Sequence, residues 1–123
     1  KLMTHKRIHV VDSNVLVLGM TFKENCPDIR NTRVIDIVHE FGSYNANVDI
    51  YDPWADAEHA QREYGLKLIT QVKTGHYDAI VLAVAHQQFC ALGAQAVRAF
   101  GKPQCVLFDV KSVFLRDEVD GRL

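Results

Sequence analysis

Two short runs, "NVLVLGM" at 14–20 and "DAIVLAVA" at 78–85, limit what this chain can become. Each is an almost unbroken stretch of β-branched and aliphatic residues, too short for a buried helix and without the alternation of a half-exposed strand. Such runs are strands covered on both faces. Strands of that kind occur where a parallel sheet is sandwiched between helices. The intervening segments supply the helices. "RVIDIVHEF" (33–41) puts Val34, Ile37, Val38 and Phe41 on one face, with Asn31 or Thr32 to cap it and Gly42 to close it. "ADAEHAQREY" (55–64) is rich in helix formers, carries acid at its start and is followed by Gly65. "HQQFCALGAQAVRAFG" (86–101) reads as one helix, or as two broken at Gly93. The remaining strands are "NVDIYD" (47–52), stopped by Pro53, a short edge strand "LKLI" (66–69), and "QCVLFDV" (104–110). "QVKTGHY" (71–77) is a weak turn, and "FLRDEVDGRL" is a tail.

Strand and helix alternate, which predicts a three-layer α/β/α, Rossmann-like domain with a mainly parallel five-stranded sheet and right-handed crossovers. The chain divides into a connector, residues 1–12, and one domain, residues 13–123. At 123 residues, 48% hydrophobic and 24% charged, it has the composition of an ordinary globular domain. The formal net charge of −1 gives no basic surface for nucleic acid or an anionic membrane, and no apolar run is long enough to span a bilayer. Three cysteines without C-x-x-C spacing predict free thiols in a reducing, cytoplasmic setting. The lysine at position 1 leads to the expectation that the chain is a piece of a longer protein.

Ligands of open parallel sheets bind outside the carboxyl ends of the strands. Four strand ends matter here: Gly19–Met20, Asp52, Ala85–His86 and 109–111. The first is followed by "TFKENCPDIRN" (21–31), a long polar insert in place of a tight turn. No glycine occurs between Gly19 and Gly42, so neither a G-x-G-x-x-G pyrophosphate cradle nor a P-loop is present. Side-chain cations would have to replace backbone amides, and Lys23 and Arg30 are available as a point charge and a planar fork. The alternative is that Lys23–Glu24 and Asp28–Arg30 are solvated or mutually paired surface charges.

Of the other reactive side chains, Cys26 lies close to two cations but reads as filler before Pro27. Cys90 and Cys105 fall on predicted core positions. His5 and His9 have i, i+4 spacing with no further ligand, so no metal site is expected. His86 stands at the ligand edge, either as a substrate contact or as the start of a helix. Asp52 is placed to cap a helix beginning near Pro53–Trp54, and Trp54 to pack or to form part of a domain interface.

"GMTFKENCPDIRNTRVIDI", then "VDIYDPWAD" and "FDVKSVF", resemble the C-terminal domain of the UDP-glucose/GDP-mannose dehydrogenase family. The likeness runs from about residue 13 onward, and "NCPDIRN" and "AVAHQQF" resemble the branch that acts on UDP-N-acetylhexosamines. The resemblance implies an NAD-dependent oxidation of a sugar-nucleotide C6 alcohol to a uronate for surface polysaccharide synthesis. It implies that Phe22, Lys23 and Lys111 contact the UDP-sugar and that Arg30 reaches NAD held by an N-terminal domain. Lys111 stands where other members have arginine. The resemblance also implies that the catalytic cysteine lies in a central region outside this chain, so that no catalytic residue is expected here and the chain alone is inactive. A homodimer built through that central region is implied as well. The alternatives are a UDP-glucose 6-dehydrogenase, or a stand-alone nucleotide-binding α/β domain.

Overall fold

The computed structural model describes residues 11–21, 23–29 and 32–122. Five strands form one sheet: β1 (Asn14–Leu18), β2 (Asn47–Tyr51), β3 (Tyr77–Leu82), β4 (Gly101–Asp109) and β5 (Gly121–Arg122). Their spatial order is β2-β1-β3-β4-β5, and every neighbouring pair is parallel. The α-helices among the described residues are α1 (Val34–Ser43), α2 (Ala57–Tyr64) and α3 (Gln87–Arg98).

The period of two along each strand divides the core into two layers. Val15 and Val17 of β1 point to the side of α1 and α2, where they join Val34, Val38 and Ala60. Leu16 and Leu18 point to the other side and join Phe89, Ala94 and Val97 of α3. β1 is thus buried on both faces, as its unbroken apolar run requires. This is the expected three-layer arrangement.

Local signals set the helix ends. Thr32 Oγ1 accepts a hydrogen bond from Val34 N (3.2 Å) at the start of α1. Gly42 does not close that helix, which runs on to Ser43 with Tyr44 after it. Asp56 Oδ1 accepts from Glu58 N (2.9 Å) and His59 N (3.3 Å) to start α2, and Gly65, at φ 66°, ends it in the left-handed conformation. Gly93, at φ 81°, breaks α3 where the sequence places a break.

The fifth strand differs from the expectation. Residues 66–69 make only a single parallel bridge, Leu68 to Ile50, beside β2. The fifth strand comes instead from the stretch read as a tail. Asp120 explains why two residues suffice there. Its Oδ2 accepts from Leu107 N (2.8 Å) and Arg98 Nη2 (3.0 Å), and its own amide donates to Leu107 O (2.9 Å). Phe114 and Val119 are buried against the α3-side core, so the segment is packed, not trailing. β4 also begins earlier than its apolar run. Lys102, Pro103 and Gln104 are exposed, and the pairing with β3 shifts register between Tyr77–Gly101 and Ala79–Val106.

Gly19 lets β1 pass tightly beneath the segment after β3. It lies at φ 98°, and a Cβ there would fall 2.6 Å from Val84 Cβ. Gly19→Ala combines left-handed strain with a steric overlap, each worth about 1–3 kcal/mol. Thermal denaturation should show a melting temperature lower by roughly 5 °C or more; a change within 1 °C would refute this reading of the turn.

Candidate functional site

β1 connects to β2 on one side while β3 lies on its other side, so the order of the sheet reverses at β1. The crevice outside the carboxyl ends of β1 and β3 is the topological switch point, where open α/β sheets take their ligands. The opposite edge is taken up structurally. There Asp78 accepts from Asn14 N (2.8 Å) and Lys102 Nζ (3.0 Å), and Tyr77 donates to Asp49 Oδ2 (2.7 Å). Burial, reinforced by Asp49, raises the Tyr77 phenol above its ordinary value.

At the carboxyl edge one carboxylate gathers three stretches of chain. Asp52, just beyond β2, accepts at Oδ2 from Met20 N (2.6 Å), Thr21 N (3.0 Å) and His86 Nε2 (2.9 Å). Its Oδ1 accepts from Trp54 N (2.7 Å) and Ala55 N (3.0 Å). Asp52 therefore caps the turn at 53–55 and not a helix, because α2 starts at Ala57 under Asp56. Burial raises the Asp52 carboxyl, but hydrogen bonds from His86, Met20 and Trp54 outweigh that effect and hold it below its ordinary value.

His86 is fully buried. Its Nδ1 accepts from Asn25 N (2.9 Å), which leaves the ring proton on Nε2, facing Asp52 and Thr21 Oγ1 (3.1 Å). Trp54 and Phe89 flank the ring, with centroids 6.3 and 5.6 Å away. Of the two roles the sequence leaves open for His86, helix start is the one observed: it directly precedes α3, although its side chain does not cap the helix. That cap comes from Asn25 Oδ1, which accepts from Gln87 N (2.8 Å). Further along the loop, Ile29 is buried and its carbonyl accepts from Tyr64 Oη (2.7 Å). The loop is anchored under its surface at 20–21, 25 and 29.

Lys23 rides on this anchored loop with its side chain exposed. Lys111 follows β4 at the same edge and is also exposed. β3 alone separates their two strands, so the strand axes are about 10 Å apart. Asp109 is buried and accepts from Phe114 N (2.7 Å), bracing the turn that carries Lys111. Phe22 and Arg30 lie outside the described residues, as do His5 and His9. Cys26 is half-buried and Cys105 is buried, but Cys90 is exposed, contrary to expectation. Phe89 takes the inward position on α3, and the next residue is turned about 100° away from it. No group of three or more histidine, cysteine or acidic side chains suited to a metal occurs among the described residues. No described helix is long and apolar enough to cross a membrane.

Among the described residues, the turn after β1 does not fit a dinucleotide pyrophosphate. The turn after β1 has one glycine, and packing against Val84 requires it. The following amides of Met20 and Thr21 are spent on Asp52, so they cannot cradle a pyrophosphate.

A doubly wound, Rossmann-like α/β domain with a side-chain-bearing loop at its switch point is the class that fold and site define. Residues 16–116 match the UDP-glucose/GDP-mannose dehydrogenase family, UDP binding domain, and the chain belongs to that family. It is 55% identical over its whole length to the UDP-N-acetyl-D-glucosamine 6-dehydrogenase of Salmonella typhi. It is 50% identical, again over its whole length, to the enzyme of that name from Pseudomonas aeruginosa. The chain spans 29% of the length of each. The NDP-N-acetyl-D-galactosaminuronic acid dehydrogenase of Methanosarcina mazei Go1 shares the fold, with a TM-score of 0.81 at 23% identity, over 95% of this chain and 24% of that one.

The Asp52 network makes a signed prediction about acid stability. The folded carboxyl titrates below the unfolded one, so the unfolded chain binds the extra proton between the two values. The Asp52 contribution is complete above the ordinary carboxylate range and is lost as pH falls through it towards the lowered value. Asp52→Asn forces an amide NH₂ against donors and should cost about 3 kcal/mol at neutral pH. It should also flatten the acid limb of a denaturant-measured stability profile. An unchanged acid limb would contradict the assignment.

Proposed function

We propose that the chain is the UDP-sugar-binding part of an NAD-dependent UDP-N-acetylhexosamine 6-dehydrogenase, with UDP-N-acetylglucosamine the favoured substrate. The observation that carries this reading is the match of residues 16–116 to a UDP binding domain whose distinctive loop sits at the switch point of the sheet. The relatives' names and the full-length identity support the choice of sugar.

The chemistry of the edge supports it as well. A UDP-sugar presents two phosphate charges and an aromatic base, and needs cations without a glycine cradle. In this reading Lys23 and Lys111 supply the cations, and Phe22 supplies apolar surface. Lysine suits a diffuse diphosphate as a compact point charge on a flexible stem. Arg30 reaches towards NAD held by another domain of the complete polypeptide, which also supplies the catalytic cysteine and the dimer contact. Oxidation at C6 yields a uronate sugar nucleotide, a glycosyl donor for surface polysaccharide, made in the cytoplasm.

Steady-state kinetics of the complete polypeptide test the assignment. Lys23→Ala and Lys111→Ala should each raise KM for UDP-N-acetylglucosamine about tenfold, the loss expected for one charge-assisted contact. Arg30→Ala should raise KM for NAD more than KM for the sugar nucleotide. Lysine variants that leave the sugar-nucleotide KM unchanged would overturn the reading of this edge, and a purely sugar-side effect would overturn that of Arg30.

A further inference from the structure

Thr21 and Asn25, each two residues from Lys23, are tied to the same buried imidazole. Thr21 Oγ1 donates to Lys23 O (2.9 Å) and accepts from His86 Nε2 (3.1 Å). Two residues after Lys23, the Asn25 amide donates to His86 Nδ1 (2.9 Å). Asn25 is held at φ 56°, in the left-handed region, and its side chain is tied to Gln87 N. The ring has no freedom to follow the loop. Asp52 Oδ2 accepts from Nε2 at 2.9 Å, Trp54 and Phe89 flank the ring, and none of it is exposed.

We propose that His86 is a positioning residue for substrate binding, a two-ended clamp that fixes the backbone on both sides of Lys23 so that its ammonium is presented from a rigid base. This rests on the reading of Lys23 as a sugar-nucleotide contact. His86 touches no substrate and moves no proton in this role. A lysine side chain is long and flexible, and a loop left free would add backbone disorder to side-chain disorder on binding. Fixing Thr21, the Lys23 carbonyl and Asn25 beforehand removes that part of the cost. The two ring nitrogens have separate tasks. Nε2 binds the ring to Asp52 and, through Thr21, to the Lys23 carbonyl. Nδ1 alone takes the Asn25 amide.

The separation of tasks makes the proposal testable. His86→Gln places an amide near the Nε2 position and can still donate to Asp52, but offers nothing at Nδ1. His86→Asn places a carbonyl near the Nδ1 position and can take the Asn25 amide. In the complete polypeptide, His86→Gln should raise KM for UDP-N-acetylglucosamine about fivefold with kcat within twofold of wild type. His86→Asn keeps the Nδ1 tie and gives up the Nε2 tie, so it should also raise KM, with kcat again within twofold of wild type. Lys23→Ala should raise KM about tenfold, and the double variant Lys23→Ala/His86→Gln should be no worse than Lys23→Ala alone. Effects that multiply in the double variant would overturn the positioning role while leaving Lys23 as a substrate contact. An unchanged KM in His86→Gln would overturn it too. No effect of Lys23→Ala would overturn the substrate reading and this proposal with it. If His86→Gln folds poorly, Thr21→Val cuts the tie to the Lys23 carbonyl with little change of shape and is put through the same cycle. The same absorption into the Lys23→Ala background is expected, and a multiplying effect counts against the proposal.

Discussion

Asp52 accepts five hydrogen bonds from three stretches of chain: the exit of β1, the turn after β2, and His86 after β3. Each stretch follows a strand that ends at the same edge, and no strand pairing joins them beyond that point. Without this carboxylate the buried amides of Met20 and Thr21 and the half-buried amides of Trp54 and Ala55 would lose their acceptor. The charge is tolerated in a nearly closed position because its two oxygens are saturated by donors. Two of the three stretches lead directly into the loop that carries Lys23 or into the helix that supports it.

The consequence is a division of labour between the two ends of the sheet. At the amino end, Asp49 and Asp78 are paired with Tyr77 and Lys102, and they stitch strands together. At the carboxyl end Asp52, His86 and Thr21 are bonded to one another, and the cations, Lys23 and Lys111, are left exposed. The rigid part of this edge lies underneath, and the charged part lies on top. That is the arrangement a binding surface needs if it is to meet a dianionic ligand without first paying to order itself.

Periodicity made most of the fold legible. β1, β3 and the apolar face of α1 follow directly from patterns of two and 3.6, and Gly65 and Gly93 mark helix ends or breaks because their φ is positive. β5 was not legible. It has two residues and no apolar run, and it exists because the Asp120 side chain bonds Leu107 from thirteen residues away. Residues 66–69 show the converse, a strand-like pattern beside β2 that makes only one bridge. The location of the candidate site was legible as a long polar loop after β1. Its support was not: the partners of His86 are 34, 61 and 65 residues distant, and nothing in "AVAHQQF" marks the histidine as buried. Parallel strands put Lys23 and Lys111 on one edge, and the strand order, which composition and spacing do not report, leaves only β3 between β1 and β4.

The central claim is that the carboxyl edge, anchored through Asp52 and His86, is the nucleotide-binding face. Amide hydrogen exchange of the complete polypeptide with and without UDP tests it most directly. The account predicts slow exchange at Met20, Thr21 and Asn25 in the absence of ligand, since all three amides are bonded to Asp52 or His86. It predicts that UDP adds protection in peptides covering 20–29 and 110–114, with the amino ends of β1 and β3 unchanged. Fast exchange at the three anchored amides, or UDP protection confined to the amino edge, would contradict it.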